Sequence, residues 1–305
     1  MKKAITRFAL LFGLLITVGA LLGAGEKTAD RLPDPPEWQD VYVAGWGRGR
    51  IYRVASDGTV SVYARVPNPD QIVFDDDGAL YAACRESIYK ITPTPDGSPA
   101  TEENGHVEEI ATGIRRIRPL ALDADGNLWA AEYVGKGAKL YKITPDGEKT
   151  VVDDTLSQPY GLAAGPDGHM YLAQLYHFKV YRYTLDGERT TLGRGPHWTR
   201  TPAFNSKGEL HVLGGWGIVR MAEDGTLTTV TNWKESEDEV HHPVGLAFDA
   251  NDTLYFTSRR PKDQELGYVY KVQPDGSRTI FARVGASPFY LAFWPKQKPE
   301  GEGDD

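Results

Sequence analysis

Six positions of one recurring phrase supply the side chains best suited to chemistry. Before a short apolar run the chain reads roughly Pro-x-Gly-Leu-Ala-x-Asp, and the variable x is Asp70, Arg118, Tyr160, Arg200, Val244 and Phe289 in successive copies. After the next apolar run come Gly45-Trp46, Cys84-Arg85, Glu132-Tyr133, Gln174-Leu175, Gly214-Gly215 and Ser258-Arg259. Guanidinium forks take carboxylate or phosphate bidentately, so Arg118 and Arg200, with Arg85 and Arg259 behind them, fit an anionic ligand. The competing reading is that Arg118 and Arg200 pair with Asp70 and Glu132, because buried charges need partners. His242, which follows His241 and precedes Pro243, can move protons or ligate a metal, although an exposed loop histidine is the simpler reading. Trp46 and Trp216 each adjoin glycine and can stack on a ring or a sugar, or merely cover strand ends.

The elements that must hold these groups are short strands and tight turns. Asp-Gly pairs recur at 57–58, 96–97, 146–147, 186–187, 224–225 and 275–276, each after a strand such as Leu140-Tyr141-Lys142-Ile143. A second turn set lies between them at Asp77-Gly78, Asp125-Gly126, Asp167-Gly168, Lys207-Gly208 and Asn251-Asp252. Two hairpins per repeat give a four-stranded unit with the period of roughly 40–50 residues expected of propeller blades. The fold class is therefore all-β: a six-bladed β-propeller over residues 39–294, with four antiparallel strands per blade. The first blade lacks an inner strand, and Pro288-Phe289-Tyr290-Leu291-Ala292-Phe293 is expected to supply it and close the ring. Antiparallel order puts all the Asp-Gly turns on one face. The variable positions then ring the opposite face, called the mouth below, where a binding site is expected. The insertion from Thr92 to Glu109 falls on the turn face and reads as decoration. Arg53, Lys90, Lys142, Arg182, Arg220 and Lys271 recur once per blade and belong to the scaffold.

Composition limits the function classes. A formal charge of −8 argues against a general nucleic-acid binder. One cysteine, Cys84, excludes an intramolecular disulfide, a cysteine-based zinc site and an iron–sulfur cluster; it sits in an apolar strand and reads as buried. No phosphate-cradling loop, nucleophile elbow or His-Glu-x-x-His helix is present, and Gly45-Trp46-Gly47-Arg48-Gly49 opens no helix. Residues 1–25 place Lys2, Lys3 and Arg7 before an uncharged apolar run, the pattern of a signal peptide or N-terminal membrane anchor, so an exported, periplasmic or extracellular protein is expected. Residues 26–38 read as a Pro-rich linker and 295–305 as an acidic disordered tail.

The repeat carries a resemblance. Pro159-Tyr160-Gly161-Leu162-Ala163-Ala164-Gly165-Pro166-Asp167-Gly168 and Pro243-Val244-Gly245-Leu246-Ala247-Phe248-Asp249 resemble the repeat of six-bladed gluconolactonase/regucalcin-like (SMP-30/LRE-like) and NHL-type propellers. The stretch from Asp125 to Glu132 is also similar to virginiamycin B lyase-like propellers. The resemblance implies a divalent cation (Ca, Mg or Zn) at the axis, polarising a lactone carbonyl. Asp70 and Glu132 are the candidate metal ligands. Where the family has Pro-Asn-Gly this chain has Pro159-Tyr160-Gly161, and Arg118 and Arg200 oppose a cation. The expectation is a propeller that binds a small anionic or cyclic molecule, with lactone or ester hydrolysis as the reaction. Glu132 and His242 would be catalytic; Arg118, Arg200, Tyr160, Trp46, Trp216 and Arg259 would hold substrate. The alternative is a non-catalytic scaffold in which Trp46, Trp216 and the 233–242 and 259–266 loops contact a protein or polysaccharide. A monomer is expected, touching membrane only through its N-terminal segment.

Overall fold

A computed structural model describes residues 39–233, 240–259, 266–285 and 287–294, without the side chains of Arg259 and Leu266. The leader, linker and tail expectations lie outside the described residues. Among those described, no helix is long and apolar enough to cross a membrane.

Local turn chemistry builds the blades. Each Asp-Gly glycine named above adopts positive φ, which glycine reaches without a Cβ clash. At the fifth turn of the second set Asp252 takes that conformation instead, with φ of 58°, and its carboxylate accepts hydrogen bonds from the backbone N–H and hydroxyl of Ser206. Strands leave these turns in antiparallel pairs, giving six four-stranded sheets. In the second blade the order from axis to rim is Pro69–Phe74, Leu80–Cys84, Ser87–Ile91 and Val107–Ala111. The other inner strands are Ile117–Leu122, Pro159–Ala164, Thr201–Phe204 and Leu246–Phe248. The sixth is Pro288–Phe293, which pairs antiparallel with Val41–Gly45 in the register Val43↔Leu291, so the C-terminal strand completes the first blade.

Alternating side chains pack adjacent blades face to face, burying Trp129, Tyr183, Phe256 and Tyr290. Polar groups lace the inner strands together. Gln71 donates from Nε2 to the Leu162 carbonyl at 2.6 Å and accepts the Leu120 N–H at 3.2 Å, joining three blades. Thr201 Oγ1 donates to the Val244 carbonyl at 2.5 Å, Thr257 Oγ1 donates to that of Phe289, and the buried Tyr290 hydroxyl donates to that of Tyr160. These bonds fix the inner strands whose first residues form the mouth. Cys84 is buried, and burial, aided by Asp70, raises its thiol pKa well above normal, so it is an inert core residue. The 92–109 insertion does more than decorate: the Arg65 N–H donates to the Ala100 carbonyl at 3.0 Å and the Ala100 N–H to that of Tyr63 at 2.8 Å, clamping the first blade to the second.

Candidate functional site

The connections into the inner strands share a backbone feature. Asn68, Arg116, Gln158, Trp198 and His242 all have φ between 45° and 54°, and each stands two residues before a ring position. A left-handed residue without glycine is uncommon, and its recurrence in five blades makes it a property of the repeat. It turns the chain so that the next-but-one side chain points into the mouth.

Arg118 lies at the centre of the result. Its side chain is 12% exposed and its Nε donates to Asp70 Oδ2 at 3.1 Å. The guanidinium carbon is 4.0 Å from the centroid of the Tyr133 ring, 4.6 Å from that of Tyr160 and 5.2 Å from that of Phe289. Burial opposes the charge, but Asp70 and the tyrosines outweigh it and the Arg118 pKa lies above its ordinary value. Burial raises the pKa of Tyr133, with Arg118 working against it. A cavity of about 340 Å³ opens beside this cluster, its walls including Trp46, Asp70, Arg85, Glu86, Arg116, Arg118 and Tyr133. Arg116 also stacks on Tyr133, at 5.3 Å.

The ring positions 70, 118, 160 and 289 therefore converge, and Val244 joins the same buried cluster as Tyr160 and Phe289. Arg200 is buried near Tyr160, its guanidinium 6.0 Å from the centroid of that ring and 6.0 Å from that of Trp198. Trp46, 42% exposed, lies 5.5 Å from Phe289 and walls the cavity. Trp216, 52% exposed, stacks on His197 at 4.3 Å and lines another part of the mouth face.

Other placements depart from expectation. Glu132 is turned into its own hairpin, accepting the Tyr141 hydroxyl at 3.2 Å and the Lys139 N–H at 3.3 Å, with Arg115 at 3.7 Å; it is not in the cavity wall. The pairing that does form is Arg118 with Asp70, whereas Glu132 meets Arg115 and not Arg200. His242 is exposed and also lies outside the cavity wall; the turn that aims the next-but-one residue inward carries His242 itself at the rim. The side chain of Arg259 lies outside the described residues. Arg116 was missed by sequence reasoning, which tracked the ring position and not the residue two before it; its fixed offset from the Pro-x-Gly phrase was the available signal.

The residues present do not fit an axial cation. Asp70 is engaged by a guanidinium, Glu132 by its hairpin, and no group of three His, Cys, Asp or Glu residues among those described can hold a metal. A divalent ion beside Arg118 would meet like charge.

Residues 48–260 match the family model described as "SMP-30/Gluconolactonase/LRE-like region". The fold is similar to that of the periplasmic gluconolactonase of Pseudomonas aeruginosa, at 15% identity over 84% of this chain and 99% of that one, with a TM-score of 0.58. It is similar to a Bacteroides caccae protein of unknown function at 14% identity, 85% and 100% coverage and a TM-score of 0.62. Virginiamycin B lyase from Staphylococcus aureus matches at 20% identity, 70% and 69% coverage and a TM-score of 0.50. No curated protein matches. At such identities the structural likeness speaks for the fold alone.

Proposed function

The chain belongs to the SMP-30/gluconolactonase/LRE-like family, and from that premise we propose that its mouth binds a small lactone, which it opens by hydrolysis with water to the corresponding hydroxy acid. The observation that carries this reading is the cavity beside Arg118, whose lining brings three arginines, two carboxylates and the aromatic rings of Trp46 and Tyr133 together. Arg85 and Arg116 would take the anionic or carbonyl end through charge-assisted hydrogen bonds, while Trp46 and Tyr133 would flank the ring. Arg118 would meet negative charge developing on the carbonyl oxygen, a role that preorganised donors fill well. Asp70 is the buried carboxylate in the wall and would accept the proton of an attacking water. Export remains part of the proposal through the N-terminal apolar segment.

A screen of aldonolactones and aryl esters, with and without EDTA, tests the reaction; turnover should persist in EDTA and fall in Arg85→Ala and Arg116→Ala. Calorimetric titration with gluconate and benzoate tests binding alone. Absence of both turnover and binding would abandon the proposal. The exposed face of Trp216 supports a second reading, contact with a protein or polysaccharide at the mouth. Trp216→Ala would then weaken capture of that partner and leave small-anion binding unchanged.

A further inference from the structure

The two arginines of the axial ring are not equivalent. Arg118 has its countercharge within the protein, at Asp70. Arg200 is 7% exposed, and among the described residues its side chain makes one hydrogen bond, from Nη1 to the Pro243 carbonyl; Nε is sealed from solvent and has no partner. No carboxylate contacts it among the described residues. The rings of Tyr160 and Trp198 stand at the outer limit of cation–π distance. A carbonyl dipole and two distant rings leave a buried unit charge uncompensated, an arrangement that costs stability unless a countercharge joins it. Nη2 likewise makes no hydrogen bond among the described residues, so donors on two of the three guanidinium nitrogens are left without an acceptor.

The backbone that carries Arg200 is fixed in advance. A Cβ on Gly161 would sit 2.5 Å from the Arg200 carbonyl oxygen, so blades four and five touch there without side-chain cushioning. Thr201 is tied to Val244 in the next blade. The charge is therefore held in place and not simply trapped by a loose loop.

We propose that Arg200 is the seat of one singly charged anion, either a carboxylate of the bound molecule or a free halide. This deepens the reading of the mouth as an anion receptor and rests on it. Arg118 then has a countercharge inside the protein, and Arg200 takes its own from the bound anion.

The test is titration calorimetry at constant ionic strength with potassium chloride, acetate, gluconate and benzoate, together with thermal melting in anion-poor buffer. Wild type should bind one anion per chain. Arg200→Met should weaken that binding by about tenfold or more and should melt no lower than wild type without added anion, because it removes an uncompensated charge. Arg200→Lys should retain part of the binding. A response to chloride identifies a halide seat, and a response to the carboxylates alone identifies the ligand's own group; either supports the proposal. If Arg200→Met binds within about twofold of wild type while Arg85→Ala and Arg116→Ala lose binding, the Arg200 seat is wrong and the mouth reading survives. If no probe binds to any form, both fall. Melting of Arg200→Met several degrees below wild type in anion-poor buffer would show that the protein already compensates the charge, and would also overturn it.

Discussion

At the turn-bearing end of the axis, Asp75, Asp123 and Asp249 accept the backbone N–H groups of Ala79, Asn127 and Thr253 at 2.7–2.8 Å, each four residues further along the chain. At the mouth, Arg118 reaches Asp70 and Arg200 reaches Pro243, across separations of 48 and 43 residues. The repeat has thus placed acids at one end and guanidinium groups at the other, yet the acids are consumed by their own turns while the arginines answer to distant blades. Charge at a propeller end is not by itself a site; what matters is whether local backbone has already claimed it.

The largest effect that would break this contrast is at Arg118. Arg118→Met should cost about 3–5 kcal/mol, because it removes a buried countercharge of Asp70, and Asp70→Asn with Arg118→Met should recover part of that loss; urea unfolding measures both. If the single change cost no more than a surface substitution, the mouth pair would be as dispensable as an exposed ion pair.

At the opposite end, Gly78 has φ of 92° and a Cβ there would lie 1.6 Å from the Trp294 ring. Gly78→Ala should cost about 2–4 kcal/mol from backbone strain together with displacement of that ring. The loss should appear as a lower unfolding midpoint, with anion binding at the mouth unchanged.

Asp123 separates the two ends by pH. Burial raises its pKa, but hydrogen bonds from Trp129 and Asn127 and the charge of Lys142 outweigh it, so its folded pKa is lowered. A depressed folded pKa contributes stability above the unfolded value of about 3.9 and loses it as pH falls from there toward the folded value. Asp123→Asn should cost about 1–3 kcal/mol at neutral pH through mismatched donors and should flatten the acid limb of the stability profile. An unaltered acid limb would remove Asp123 from the account.

The smallest effect belongs to Arg116. Relief of its left-handed backbone in Arg116→Gly should raise stability by up to about 1 kcal/mol, while affinity for gluconate or benzoate falls. Gain and loss in one variant would mark a residue kept for its guanidinium; unchanged affinity would return it to the repeat.

The legible part of the fold follows from how far each determinant reaches. Asp57-Gly58 and its fellow turns and the alternating strands depend on residues within a few positions of one another, so they could be read directly, and the missing first inner strand followed from counting them. The ring positions were legible as well, since the Pro-x-Gly phrase fixes them by register, and Asp70, Arg118, Tyr160 and Phe289 do converge. Glu132 was not legible: it follows the same register, but a tyrosine nine residues on and a backbone N–H seven residues on draw it into the hairpin. Nor was Arg116, whose place at the rim of the cavity depends on a left-handed backbone that no glycine announced.

The amino-acid order alone therefore determined six blades, their turn chemistry and the burial of Cys84, because hydrogen bonds and side-chain alternation at short range dictate them, while closure by Pro288–Phe293 was legible from counting the strands in each repeat. Only ring closure decided which charges would meet. It gave Arg118 a carboxylate from the neighbouring blade and gave Arg200 a neutral carbonyl, a difference that two arginines in the same register of the same repeat could not express until the axis had formed around them.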